Sequence, residues 1–194
     1  MMAALLVVGF AYLLGSVPTG FLLGYLAGVD VRRSGSGNVG ATNVARVAGK
    51  WLGLLTLLLD AAKGFVPVFI ALQMGFDAAV TGGTALAAFL GHLYPVFLKF
   101  RGGKGVATAL GALLAVAPTA IGVLVPVFLL VLLATRIVSL ASIVAAGTAP
   151  VAIWLLGYPD PLVGITLLMA LLILWRHRDN IQRLRSGAEP RFSL

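Results

Sequence analysis

At 194 residues, of which 60% are hydrophobic and only 10% charged, the chain lacks the material for a water-facing surface; a soluble domain keeps about a quarter of its residues charged. It has no cysteine, which excludes disulfides, thiolate nucleophiles and cysteine metal sites, and two histidines are too few for a His-rich metal cluster. The net charge of +8 would suit a nucleic-acid binder if the cations were pooled, but they stand in short blocks between long apolar runs, so the chain reads as an all-α integral membrane protein and nucleic acid is not an expected partner.

A helix needs roughly 20 apolar residues to cross a bilayer. Candidate spans in chain order are 3–27, 51–72, 78–98, 106–117, 119–134, 138–156 and 162–175. The first lacks a basic leader and an Ala-x-Ala-like cleavage site, and is read as a retained span. The apolar stretch from Val106 to Thr135 is interrupted at Pro118, and reads either as two short helices or as one kinked span. Charge placement favours two, because seven crossings put almost every cation on one side. That side then holds Arg32 to Lys50, Lys99 to Lys104, Arg136 and the tail from Arg176 to Arg191. The expectation is one bundle of seven transmembrane helices, with the N-terminus outside and the C-terminus cytoplasmic. The short fourth helix fits only where the membrane thins or the helix begins below the interface.

Three polar blocks interrupt the apolar runs. The first, DVRRSGSGNVGATNVARVAGK from Asp30 to Lys50, is too rich in serine, glycine and asparagine for a stable helix before Ala41. Its backbone N–H groups can form an anion-binding nest, with Ser36, Asn38 and Asn43 as side-chain donors and Arg46 beside them. A flexible polar loop is the alternative. The second block, GHLYPVFLKFRGGKG from Gly91 to Gly105, places Gly102, Gly103 and Gly105 around Lys104, just before an apolar helix. Such a turn suits phosphate, but it lacks Walker A spacing, so nucleotide hydrolysis is unsupported. His92, at the end of the preceding helix, is read as packed and supporting. The third block, from Trp175 to Phe192, sets Arg176, His177, Arg178 and Asn180 at the end of the last span. A basic stop-transfer flank explains the arginines better than it explains His177 and Asn180.

Within the second span Asp60 and Lys63 stand three apart and can face each other. Intramembrane ionisable groups are functional candidates by default, though a structural ion pair fits at least as well as a proton relay. Arg136, Ser139 and Ser142 form a smaller cluster at the start of the sixth span. Many cations and neutral donors with few carboxylates suit a phosphate-bearing substrate, and no Ser-His-Asp arrangement can be argued from spacing. A multi-span transporter or binding protein for a phosphorylated metabolite is the rival class, but no internal repeat of the transporter kind is evident.

The segments SVPTG (Ser16 to Gly20), D-x-R-x-x-GSGNVGATNVAR (Asp30 to Arg46), GHLYPVFLKFRGGKGVAT (Gly91 to Thr108) and WRHRDNIQRLRSGAE (Trp175 to Glu189) closely resemble the bacterial acyl-phosphate:glycerol-3-phosphate acyltransferase family. The resemblance runs over essentially the whole chain. It implies transfer of a fatty acyl group from acyl-phosphate to the 1-hydroxyl of glycerol 3-phosphate, giving lysophosphatidic acid and inorganic phosphate, with no cofactor or metal, at the bacterial inner membrane with the site facing the cytoplasm. It further implies that Ser36, Asn38 and Arg46 belong to a phosphate-recognition pocket, with Ser34, Gly37, Thr42 and Asn43 as further contacts. Lys104 resembles the principal phosphate ligand, flanked by Gly102, Gly103 and Gly105, and His177 and Asn180 resemble the contributors nearest the reacting groups. Asp60, Lys63, His92, Arg136 and Ser142 are read as supporting. Whether His177 or the substrate's own phosphate acts as base stays open, as does docking of the acyl-phosphate-producing enzyme. Ser36 is read as orienting, with a covalent acyl-serine the weaker alternative.

Overall fold

A computed structural model describes residues 1–192 and is helical throughout its regular structure. Its helices are α1 (Met2–Gly15), α2 (Thr19–Leu26), α3 (Ala41–Ala48), α4 (Lys50–Gln73), α5 (Ala78–Leu93), α6 (Val106–Val116), α7 (Pro118–Thr135), α8 (Val138–Leu155), α9 (Asp160–Arg176) and α10 (Arg178–Arg185), with a 3₁₀ turn at Val96–Leu98. The described residues fall into two compact units, 1–116 and 117–192.

The breaks have local causes. Pro18 has no N–H to donate to the helical carbonyl ladder, so the first apolar run ends at Gly15 and restarts at Thr19. Gly49, with φ +104°, separates α3 from α4. Ala117 leaves helical geometry at φ −144°, and Pro118 then opens α7 at the position a proline tolerates best. Asp77 caps α5 by accepting the Val80 N–H at 2.9 Å. The first polar loop turns helical at Ala41, where its glycine run ends at Gly40.

In the first unit small residues set the packing, as expected where lipid removes the hydrophobic drive between helices. A methyl added at Gly15 would lie 2.1 Å from the Ala88 carbonyl oxygen, so α1 and α5 touch through backbone. Along α4 the partners change halfway. Gly53 meets Ala45 of α3, whereas Gly64 meets Thr108 of α6, and Val68 shares a buried cluster with Ala112. Thus α3 covers the beginning of α4 and α6 its later half. In the second unit α8 packs against both α7 and α9, and Thr119 and Tyr158 share a side-chain hydrogen bond of 2.5 Å. Large apolar side chains such as Leu5, Leu6, Leu58, Leu130, Leu133 and Leu171 point outward, which suits a lipid solvent.

The expectation of seven spans is corrected. Among the described residues five segments are long and apolar enough to cross: Met2–Leu26, Lys50–Gln73, Ala78–Leu98, Pro118–Thr135 and Val138–Leu155. A sixth is reached only if α9 and α10, bent by 57°, count as one span. The eleven residues of α6 extend only about 16 Å, roughly half the hydrocarbon thickness. Charge alternation had counted α6 as a crossing although its length required a thinned membrane. The assignment of the N-terminus outside and the C-terminus cytoplasmic rested on that count and lapses with it.

Candidate active site

In the first unit, the loop between α2 and α3 is built around Asn43. Its side chain is buried; Oδ1 accepts the Ser36 N–H at 2.8 Å, and Nδ2 donates to the carbonyls of Val31, Asn38 and Ser34 at 2.9, 2.8 and 3.1 Å. Asn43 therefore staples the loop. Asn38 closes a smaller turn by accepting the Gly40 N–H at 2.8 Å. Gly35 has φ +61°, and a methyl there would lie 2.4 Å from Asn43 Oδ1, so this turn requires glycine. Ser36, Gly37, Thr42 and Arg46 are exposed, while Ser34 and Asn38 are half-buried. Asp30 pairs with Arg32 through two hydrogen bonds of 2.9 Å, which hold its carboxyl down at about 2, and the Arg32 guanidinium lies 4.3 Å from the Phe21 ring centre.

The second block lies beside this loop in the same unit. Leu98 packs on the Val31, Val39 and Val44 cluster beneath the first loop. Lys104 is half-buried and Gly103 and Gly105 are buried. The N–H groups of Gly102 and Gly103 donate to the carbonyls of Leu93 and His92, each at 3.1 Å, and so serve to fasten the turn to the end of α5. Beneath it lies a polar cluster. Asp60 Oδ1 is 2.8 Å from Lys63 Nζ, accepts a 2.5 Å hydrogen bond from Thr19, and lies 3.6 Å from His92 Nδ1. Lys63 Nζ also donates to the Val17 carbonyl at 2.9 Å, at the break in the first run. The associated cavity, bordered by Ser16, Thr19, Asp60, Lys63 and His92, is only about 10 Å³. The expected Asp60–Lys63 pair is present; Thr19 and the contact with His92 were not foreseen, although Thr19 lies within the SVPTG segment.

The third block organises the second unit. His177 is buried at the α9–α10 junction, with Nδ1 2.8 Å from the Ile173 carbonyl oxygen. A carbonyl can only accept, so Nδ1 carries the proton there, and in the neutral ring Nε2 keeps a lone pair. Asn180 is buried and donates to Glu189 Oε1 at 2.5 Å; Ser139 donates to the same oxygen at 2.6 Å, and Arg183 Nε donates to Oε2 at 2.7 Å. Burial by itself would raise the Glu189 pKa, but the hydrogen bonds from Ser139, Asn180 and Arg183 and the Arg183 charge outweigh it and hold the carboxyl below its ordinary range. The tail then returns, the Phe192 N–H donating to the Arg136 carbonyl at 2.6 Å. Arg136 is exposed in a left-handed cap at φ +59°, and Ser142 donates to Val138 within α8. The contacts of Glu189 were not foreseen, although Glu189 closes the WRHRDNIQRLRSGAE segment.

The family model described as glycerol-3-phosphate acyltransferase matches residues 5–187. The chain is 47% identical over 192 residues to the glycerol-3-phosphate acyltransferase of Geobacter sulfurreducens, covering 99% of each, and 50% identical to that of Aquifex aeolicus, covering 98% of this chain and all of the relative. It is also similar to crystal structures of PlsY, an integral membrane glycerol 3-phosphate acyltransferase. The glycerol 3-phosphate form superposes with a TM-score of 0.96 at 49% identity, covering 98% of this chain and 96% of the other; the lysophosphatidic acid form does so with 0.93 at 48%, over the same shares. With the polar segments in place and the match running from end to end, the chain belongs to the glycerol-3-phosphate acyltransferase family.

Proposed function

We propose that the Lys104 turn and the Asn43-stapled loop bind the phosphate groups of an acyl transfer reaction, and that His177 and Asn180 serve its reacting end. The chain is a multi-pass membrane enzyme that transfers an acyl group from acyl-phosphate to glycerol 3-phosphate. The observation that carries this is the end-to-end likeness to PlsY in both its glycerol 3-phosphate and lysophosphatidic acid forms. The acceptor is the 1-hydroxyl. Its oxygen attacks the acyl carbonyl carbon and forms the ester bond. The bond between that carbon and the phosphate oxygen breaks, and inorganic phosphate leaves with the electron pair. Lys104 and Arg46 counter the charge that grows on the leaving phosphate.

The hydroxyl proton goes either to His177 Nε2, which the Ile173 contact leaves as an acceptor, or to the phosphate of glycerol 3-phosphate itself. Replacing His177 by glutamine separates the two: a flattened acidic limb of the pH–rate profile assigns the proton to His177, and an unchanged limb assigns it to the substrate. Ser36, exposed on its loop, orients substrate, with Ser34, Asn38 and Thr42 around it. Cations concentrated in the three polar blocks support a site at the cytoplasmic face of the inner membrane.

The test follows labelled acyl-phosphate in detergent or lipid mesophase, with and without glycerol 3-phosphate. Wild type forms lysophosphatidic acid only with the acceptor present. Lys104→Ala lowers the rate about 10²–10³-fold, the scale of removing one preorganised charge-stabilising donor. Folded wild-type protein that moves glycerol 3-phosphate across sealed vesicles and forms no product would return the chain to the transporter class.

A further inference from the structure

The Asp60, Lys63 and His92 cluster borders a cavity of only about 10 Å³. Asp60 and Lys63 have side chains only 2% and 5% exposed. A buried ion pair gives little stability over apolar residues of equal volume. What these groups do supply is orientation. Asp60 is held by Lys63 and by the Thr19 hydroxyl, so its carboxylate faces His92 Nδ1 in a fixed direction. The opposite ring nitrogen, Nε2, lies against Gly103, where an added methyl would come within 2.2 Å of it. The His92 carbonyl accepts the Gly103 N–H at 3.1 Å, so ring and backbone grip the same residue. Lys104 is next in the chain.

We propose that Asp60, Lys63 and Thr19 lock the His92 ring as a rest for Gly103, and that His92 is thereby a positioning residue for Lys104. The proposal depends on the reading of Lys104 as the phosphate ligand. A reactive group misplaced by about 1 Å can lose 10²-fold in rate, so a rest that fixes the Lys104 backbone affects phosphate binding without touching substrate.

The test compares wild type, His92→Asn, His92→Ala, Gly103→Ala, the double variant His92→Ala with Gly103→Ala, and Lys104→Ala. Each is assayed for KM toward both substrates, for kcat and for thermal unfolding. Asparagine reproduces the Nδ1 side of the ring toward Asp60 and deletes the edge facing Gly103. His92→Asn is expected to unfold near the wild-type temperature while its KM for acyl-phosphate rises at least about 10-fold, with the KM for glycerol 3-phosphate within twofold. Gly103→Ala alone should be similarly impaired. The double variant should be no worse than Gly103→Ala, because the ring that the new methyl meets is gone; two effects acting through one contact do not add.

The proposal is overturned if His92→Asn and His92→Ala keep the acyl-phosphate KM within twofold, or if activity falls only in step with folded protein. It is equally overturned if neither His92 variant folds, since the histidine is then a folding requirement. An inert Lys104→Ala would sink the underlying reading of Lys104, whereas a severe Lys104 defect beside unaffected His92 variants sinks the positioning role alone.

Discussion

Asp60 and Glu189 each gather three partners, Asp60 within the helices of the first unit and Glu189 on the returning tail of the second. Asp60 draws Lys63 from its own helix, Thr19 from the first residue of α2 and His92 from α5. Glu189 draws Asn180 and Arg183 from α10 and Ser139 from α8. Its own side chain is 7% exposed, but that of Arg183 is 39% exposed. The difference is in what can replace the carboxylate. Around Asp60 the backbone is fixed by helix packing and little water can enter, so a lost carboxylate leaves a stranded ammonium. Around Glu189 the tail can lift and the arginine can turn to solvent. Similar numbers of polar contacts thus carry different costs, set by the freedom of the surroundings.

The largest expected effect comes from Asp60→Ala, which leaves Lys63 buried and uncompensated at a cost of about 3–5 kcal/mol. A fall in thermal unfolding temperature in detergent measures it. Neutralising both partners, as in Asp60→Leu with Lys63→Met, should recover most of that loss; a double variant as unstable as the single one breaks the charge-compensation account. Glu189→Ala should cost less, about 1.5–3 kcal/mol from its charge-assisted hydrogen bonds, and should expose the tail after α10 to limited proteolysis.

Acid sharpens the same contrast. The folded Glu189 pKa lies below its ordinary value of 4.5, so the stability it contributes is complete above that value and is lost as pH falls through the folded pKa. Wild type should therefore destabilise over that acidic window more steeply than Glu189→Gln, read by the unfolding temperature against pH. Arg33→Ala marks the lower end: its side chain is 86% exposed and 3.7 Å from Asp30, and no change in unfolding temperature is expected.

Local features were readable from the chain itself. The loop yields to helix at Ala41 where the glycine-rich run ends at Gly40, and Pro118 marks the break at Ala117 by its missing N–H. Asp60 and Lys63 at helical spacing foretold their contact. Contacts set by tertiary approach were not readable. Ser139 and Glu189 are 50 residues apart and Thr19 and Asp60 are 41 apart, and no periodicity links them. The glycines around Lys104 signalled an anion turn, yet two of their N–H groups hold α5, a use visible only once the helix end is in place. The span count failed for a related reason: apolarity marks segments but not the level at which each begins.

That level has a consequence for the acyl donor. Asp60 lies ten residues after Lys50 in α4, about 15 Å along the axis at ~1.5 Å per residue. Through His92 the Lys104 turn is moored near this point, and α6 continues from there along the rest of α4. Drawing a fatty chain out of hydrocarbon costs about 0.8 kcal/mol for each methylene wetted. Under the proposed role of Lys104, a turn recessed partway down its own bundle shortens that withdrawal: the polar head of the donor would descend to the lysine while its tail stays in oil.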